Sequence, residues 1–386
     1  MTDEFDRAKD LFQWNERVFT IMGVWPLQST YVKFSMWIVY FLIHMTTLYA
    51  DLFHVFGNLE LMVLNLSEST WDVMIISKLL IMRFSRTLAN LTQQVVNGAD
   101  SENFQTREEM EIYLNYNRIA KFFFKLWLTI GVSASIVYCL KPLSYRIQAG
   151  LQNESVPFIL SYRARYFFEV NDSMTFWIVW TWQTPVMCFS IYQTVSIGYL
   201  FSIILHVSGQ MAVLTFRINN LQLISTESNE ASRNIFSDIV SRHRNILRMI
   251  QDINGVFSLL LLEELIIMTV LLALSSYSVL VNFDLADPGE LLAFILYASG
   301  LLWMIYGYCL AGEYLVNESM NLHEAYYQCQ WYEMSSSFKK QMLICMIGSS
   351  KSPQLSAGGF YNFSLEGFTS ILKTAGGYIS LLRTMI

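Results

Sequence analysis

The chain has 386 residues, of which 54% are hydrophobic, 15% aromatic and only 15% charged, with a formal net charge of -6. Ordinary globular domains carry about 25% charged residues, so this composition excludes a soluble domain and indicates a multi-pass, all-α membrane protein. Its acids are spread over the N-terminus and loops without forming a tail, and no nucleic-acid partner is expected.

The N-terminus opens on Asp3, Glu4, Asp6 and Arg7 and has no apolar run with a small-residue cleavage site, so it is not read as a signal peptide. Stretches long enough to cross a hydrocarbon core of roughly 30 Å follow at about Phe34 to Val55, Leu61 to Met82, Phe122 to Leu140, Met174 to Leu205, Val256 to Val281, Leu291 to Leu315 and Tyr361 to Ile386, seven in all. The second carries Lys78. The fourth is too long for one straight crossing and is expected to tilt or to extend into the cytosol.

Basic residues set the orientation, because short loops rich in Lys and Arg stay cytoplasmic. One side holds Arg7, Lys9, Arg17 and Lys33, then Arg83, Arg86, Arg107, Arg118, Lys121 and Lys125, then Arg217, Arg233, Arg242, Arg244 and Arg248, and finally Lys339, Lys340 and Lys351. The other side holds Arg146, Arg163 and Arg165. The N-terminus is therefore expected in the cytosol and the C-terminus outside, the reverse of a rhodopsin-like receptor. Along the cytosolic connections Ile235, Ile239, His243, Ile246, Leu247 and Ile250 recur near a period of 3.6. These connections are read as extensions of the membrane helices, packed against one another.

Cys139, Cys188, Cys309, Cys329 and Cys345 form no C-x-x-C pair, and the histidines are scattered. Neither a disulfide framework nor a metal site is indicated. No convergent acid, base or nucleophile set marks an enzyme, and no cofactor is expected. Asp51, Lys78, Glu263, Glu264 and Lys373 are ionisable residues within spans. The adjacent glutamates are expected near the cytosolic end of the fifth span, touching a wet crevice. Of the N-x-[ST] sequons, Asn153 in the third connection stands clear of the bilayer and is the expected glycosylation site, with Asn171 second. Asn65 lies too near the membrane.

Aromatics and methionines crowd the outward halves of the helices, among them Trp71, Met74, Tyr138, Phe176, Trp177, Trp180, Trp182 and Tyr297, with Ser133, Ser135, Thr181 and Gln183 nearby. Apolar walls with a few polar groups are the usual character of a small-molecule site. Met74, Ser135, Tyr138, Trp177, Trp180 and Tyr297 are the candidate ligand residues. A pocket of this kind, nearly free of charge, suits small volatile apolar or aromatic molecules.

Beyond the sixth span come Ser319, Ala325-Tyr326, Trp331-Tyr332, Pro353, Phe363-Ser364-Leu365, Phe368, Ile371-Leu372-Lys373, and Tyr378 with Leu381. This pattern resembles the insect odorant receptor family. Trp14-Asn15 followed by Gly23-Val24-Trp25-Pro26 is similar to the opening of odorant receptors from ants, bees and wasps. The chain departs from its relatives at Ala375-Gly376-Gly377, where a serine and a tyrosine are common. The resemblance implies an odorant-gated, nonselective cation channel subunit in the plasma membrane of sensory neurons. It would assemble as a tetramer with shared odorant co-receptor subunits, in contact with membrane lipid. A gustatory receptor of the same superfamily is the alternative, although its terminal T-Y-x5-Q-F pattern is missing after Lys373. A transporter is a more distant alternative, lacking visible internal repeats.

Within that reading, residues 1–315 form the first six membrane helices, 316–359 a cytosolic assembly segment and 360–386 a pore-lining helix. Ala325, Tyr326, Trp331 and Tyr332 are the expected assembly contacts, since buried aromatics anchor interfaces. On the last helix Thr369, Lys373, Gly376 and Ser380 fall on one face. That stripe is expected to face the shared axis, with Leu372 or Ile379 as an apolar constriction.

Overall fold

The computed structural model describes residues 12–28, 30–99, 103–152, 158–220, 229–282, 288–329, 331–333 and 336–385. Among them the chain forms helices α1 (Gln13–Met22), α2 (Tyr31–His54), α3 (Leu59–Phe84), α4 (Arg86–Gly98), α5 (Arg107–Gln152), α6 (Ser173–Gln183), α7 (Val186–Asn219), α8 (Asn229–Asn282), α9 (Pro288–Gln328), α10 (Ser336–Ser349) and α11 (Leu365–Met385). A short hairpin, β1 (Ser356–Ala357) with β2 (Tyr361–Asn362), is antiparallel.

Five of these segments are long and apolar enough to span a bilayer on length and composition alone: α2, α5, α6 with α7, α8 and α9. Helices α3 and α11 occupy the two remaining expected spans. α3 is diluted by Glu68, Asp72 and Lys78, and α11 by Glu366 and Lys373. The protein is a helical, polytopic membrane protein.

The long fourth stretch is two helices rather than one tilted helix. Pro185 has no N–H to give and breaks the ladder, while the Thr184 hydroxyl bonds back to the Trp180 carbonyl at 2.8 Å. Asp172 caps α6, accepting from Thr175 N at 3.0 Å and from its hydroxyl. Those bonds hold the Asp172 carboxyl below the usual range. Its apolar window is 94% buried, against 22% for α2 and 17% for α5. α7 is therefore the central strut, and the others lean on it with one face turned to lipid. Met36, Val39, Leu42 and Ile43 of α2 are exposed in just this way.

Helix lengths bear out helices that extend beyond the bilayer. α8 has 54 residues, about 80 Å at 1.5 Å per residue, which far exceeds a hydrocarbon core of about 30 Å. Its inward row, Ile239, His243, Ile246 and Ile250, is buried. Arg217 on α7 clamps this region, donating to Glu109 on α5 at 2.8 and 2.9 Å and to Asp238 on α8 at 3.2 Å.

At the N-terminus Gly23 closes α1 in the left-handed region (φ 73). A Cβ there would stand 2.7 Å from Phe34 N, so only glycine lets the chain fold back. That turn seats Trp25 among Phe12, Phe19 and Tyr199, and Asn15 donates to the Val195 carbonyl of α7. The opening motif is thus a plug that fixes α1 on the central strut.

Candidate functional site

Toward the outer ends of α2, α3 and α5, the structure gathers polar groups that composition does not announce. Glu68 and Asp72 stand four residues apart on one face of α3. The Tyr138 hydroxyl donates to Glu68 Oε1, and the Arg163 backbone N–H donates to Oε2 at 3.1 Å. Asp72 lies beside His44 of α2, with 3.8 Å between Oδ2 and Nε2. Asp51 accepts from Asn65 at 3.0 Å and faces the Arg163 guanidinium at 3.6 Å.

The outer connection closes over these groups. Tyr162 is pinned by the buried amide of Gln183, which accepts from its N–H at 3.2 Å and donates to its carbonyl at 3.1 Å. Its ring lies 5.1 Å from those of both His44 and Tyr138. Burial pushes the hydroxyls of Tyr162 and Tyr166 above the ordinary tyrosine range, so both stay neutral.

Of the six candidate ligand residues, Tyr138 sits at the heart of this cluster, and Tyr297 lies within electrostatic reach of Glu68 and Tyr138. Trp180 joins α6 to α5 by donating to the Cys139 carbonyl at 3.1 Å. Ser135 is buried, its hydroxyl turned to the Gly131 carbonyl of its own helix. Met74 is fully buried in the main core. Trp177 stands apart: it is 50% exposed, on the outer side of α6. The site also holds three ionisable groups, Glu68, Asp72 and His44. The four-residue spacing of two carboxylates inside an apolar span was the available signal.

Glu264 is not in a wet crevice. It is 1% exposed and paired with Lys78 of α3 at 2.5 Å. Gln193 and Tyr308 complete its shell at 2.8 and 2.5 Å, while Glu263 accepts from Ser77. The pair joins α3, α7, α8 and α9 in one polar knot.

The hairpin explains the C-terminal motif. Asn254 and Ser258 of α8 bond the backbone at Gln354, Ser356 and Gly358. Phe363 is buried against α9, where a Cβ on Gly312 would stand 2.1 Å from its carbonyl oxygen. Glu313 accepts from Leu365 N at 3.1 Å, and the Ser364 hydroxyl caps α11 at Gly367 N. Phe363-Ser364-Leu365 is therefore the docking joint of the last helix.

On α11, Leu365, Phe368, Ile371 and Ala375 pack against the core. Thr369, Leu372, Lys373 and Gly376 are exposed, and no heavy atom would lie within 4 Å of a Cβ on Gly376. Ile379 and Ser380 continue the helix, but their side chains lie outside the described residues. Asn153 also lies outside them. Asn65, fully buried, bonds the Leu48 carbonyl, and Asn171 is exposed.

In the expected assembly segment Ala325 and Tyr326 are interior to the subunit, 3% and 0% exposed, with the Tyr326 hydroxyl 3.2 Å from His243 Nδ1. Their helical phase on α9 turns them onto α8, so they offer no outer surface. Trp331 is half-buried and Tyr332 is 57% exposed. Sequence reading missed the exposed aliphatic row Leu343, Ile344 and Ile347 on α10. The 315/316 boundary falls inside α9, which runs unbroken to Gln328.

A sequence model of the 7tm odorant receptor family matches residues 58–376. The chain belongs to the odorant receptor family. This receptor is 27% identical to odorant receptor 49a of Drosophila melanogaster over 47% of its own length and 46% of that protein's. With putative odorant receptor 85d of the same fly it shares 21% identity over 83% of the chain and 79% of the relative. With the odorant receptor coreceptor of Ooceraea biroi it shares 28% identity over 37% of the chain and 30% of that protein. In the first of these alignments the receptor spans about half the length of its curated relative. Its fold matches the olfactory receptor OR5 of Machilis hrabei, solved in complex with eugenol, at a TM-score of 0.81 and 15% identity, covering 98% of this chain and 100% of that one. Membership in a receptor family agrees with the expectation that the chain is not an enzyme.

Proposed function

We propose that this receptor is an odorant-gated, nonselective cation channel subunit that binds a small volatile ligand, mainly apolar or aromatic, and works in a tetramer with odorant co-receptor subunits in the plasma membrane of sensory neurons. The observation that carries the reading is the exposed face of α11. Spans that border lipid expose aliphatic and aromatic side chains, as α2 does, whereas α11 exposes Thr369, Ser370, Lys373, Thr374, Gly376 and Gly377. Lipid offers such a face no hydrogen bonds, but a shared aqueous axis suits it. Leu372 and Ile379 supply the apolar constriction. Lys373 repels cations, which places it at the pore mouth or against a neighbouring subunit. Trp331 and Tyr332, with the aliphatic row of α10, are the assembly surface. Asn153 is the proposed glycosylation site.

Co-expression with the co-receptor tests this. Odorants should evoke cation current that persists when G-protein signalling is blocked. Current that disappears under the block sinks the ionotropic reading.

A further inference from the structure

Several polar atoms at the outer site have no hydrogen-bond partner among the described residues: Oδ1 of Asn65, the Ser69 hydroxyl and Oδ2 of Asp72 on α3, both ring nitrogens of His44 on α2, and the hydroxyl of the partly buried Tyr297 on α9. His44 is 0% exposed and Asp72 4%, so bulk solvent does not satisfy them, and buried polar atoms are as a rule paired. Glu68 differs, since Tyr138 and the Arg163 N–H already occupy it. The open carboxyl oxygen is Oδ2 of Asp72.

The 3.8 Å between His44 Nε2 and Asp72 Oδ2 is too long for a direct hydrogen bond, yet one oxygen about 2.8 Å from each spans it. The gap presents one donor and one acceptor in either protonation state: beside a carboxylate the ring proton sits on Nε2, and beside a neutral carboxyl the acid gives the proton and Nε2 accepts. A hydroxyl matches both, donating to one side and accepting from the other. An ether or carbonyl oxygen leaves one side without a donor, and an ammonium leaves the other without an acceptor. The rings of Tyr162 and Tyr138 then stand against the apolar body behind the hydroxyl.

We propose that Asp72 and His44 form the polar end of the ligand site and select odorants carrying a hydroxyl group, alcohols or phenols, over ether, carbonyl and amine analogues of the same skeleton. This rests on the reading of the chain as an odorant-binding receptor.

The test is a matched series on the full receptor co-expressed with its co-receptor: hexanol, hexyl methyl ether, hexanal and hexylamine, with the corresponding benzylic and phenolic sets. The alcohol or phenol should act at roughly tenfold lower concentration than its methyl ether, the scale of one well-formed hydrogen bond. Asp72→Leu and His44→Phe should bring that ratio close to one by weakening the hydroxylated ligand. Surface expression and co-assembly with the co-receptor at the level of the unaltered receptor show that they fold. Asp72→Asn and His44→Gln keep hydrogen-bonding groups and should retain most of the preference. Equal potency of alcohol and ether in the unaltered receptor overturns the proposal and leaves the pair to a bound water. A preference surviving both apolar substitutions also overturns it, as does an Asp72-dependent preference for the amine. If no odorant evokes current, the channel reading fails on its own. The site is then read from thermal stabilisation of the purified receptor, where alcohol above ether upholds the proposal and parity overturns it.

Discussion

Lys78 and Glu264 show what a single residue decides in this fold. Two charges buried at membrane depth are tolerated because each answers the other, and Gln193 and Tyr308 saturate the carboxylate. Removing one partner leaves an uncompensated buried charge, which typically costs about 3–5 kcal/mol. Lys78→Met should therefore lower the thermal midpoint of the purified receptor sharply, while Lys78→Met with Glu264→Leu should recover most of it. A double variant no more stable than the single one would show that the pair is not the unit of stability. At the proposed ligand site, Tyr138→Phe removes the hydroxyl that holds Glu68 and keeps the ring that faces Tyr162. It should shift potency for some odorants and spare others. Uniform loss of current with every odorant would assign Tyr138 to folding.

At the scale of elements, α11 hangs from the joint at Phe363-Ser364-Leu365, and its inner face rests on the core through Phe368, Ile371 and Ala375. Cysteine placed at Thr369 or Gly376 should react with water-soluble thiol reagents when odorant is present, and a polar residue at Leu372 should raise basal leak. No labelling along the helix, with permeation unchanged, would remove α11 from the conduction path. The joint itself is steric. Gly312→Val would drive its side chain into the Phe363 carbonyl, and overpacking of this kind costs typically 1–3 kcal/mol or more. Reduced surface expression and a lower thermal midpoint are the expected readouts.

For the whole molecule, the long cytosolic extensions make the interior of each subunit self-sufficient, and assembly is left to what remains exposed. Tyr332 and the row Leu343, Ile344 and Ile347 are exposed apolar surface among the described residues. Such patches mark protein contacts. Charged residues at Ile344 and Ile347 should reduce the tetramers recovered in detergent with the co-receptor, whereas Tyr326→Phe should leave assembly intact. Intact assembly in the charged variants, read by native gel, would move the interface elsewhere.

The all-α polytopic class and the family were legible in the sequence, because apolar length and the spacing of Phe363-Ser364-Leu365 with its flanks are properties of consecutive residues. The polar, small stripe of α11 was legible for the same reason, since helical phase places it on one face. Only the tertiary structure decided the rest. Periodicity cannot tell that Tyr326 looks inward and Tyr332 outward across a break after Gln328, or that a proline splits the fourth stretch. Least of all does it show that Lys78 meets Glu264 on a helix far along the chain, or that His44 meets Asp72 on the next helix. Charges within apolar spans can be counted from a sequence, but which of them neutralise one another depends on how four or five helices are rotated about a common strut, and that rotation is set by the packing of all of them at once.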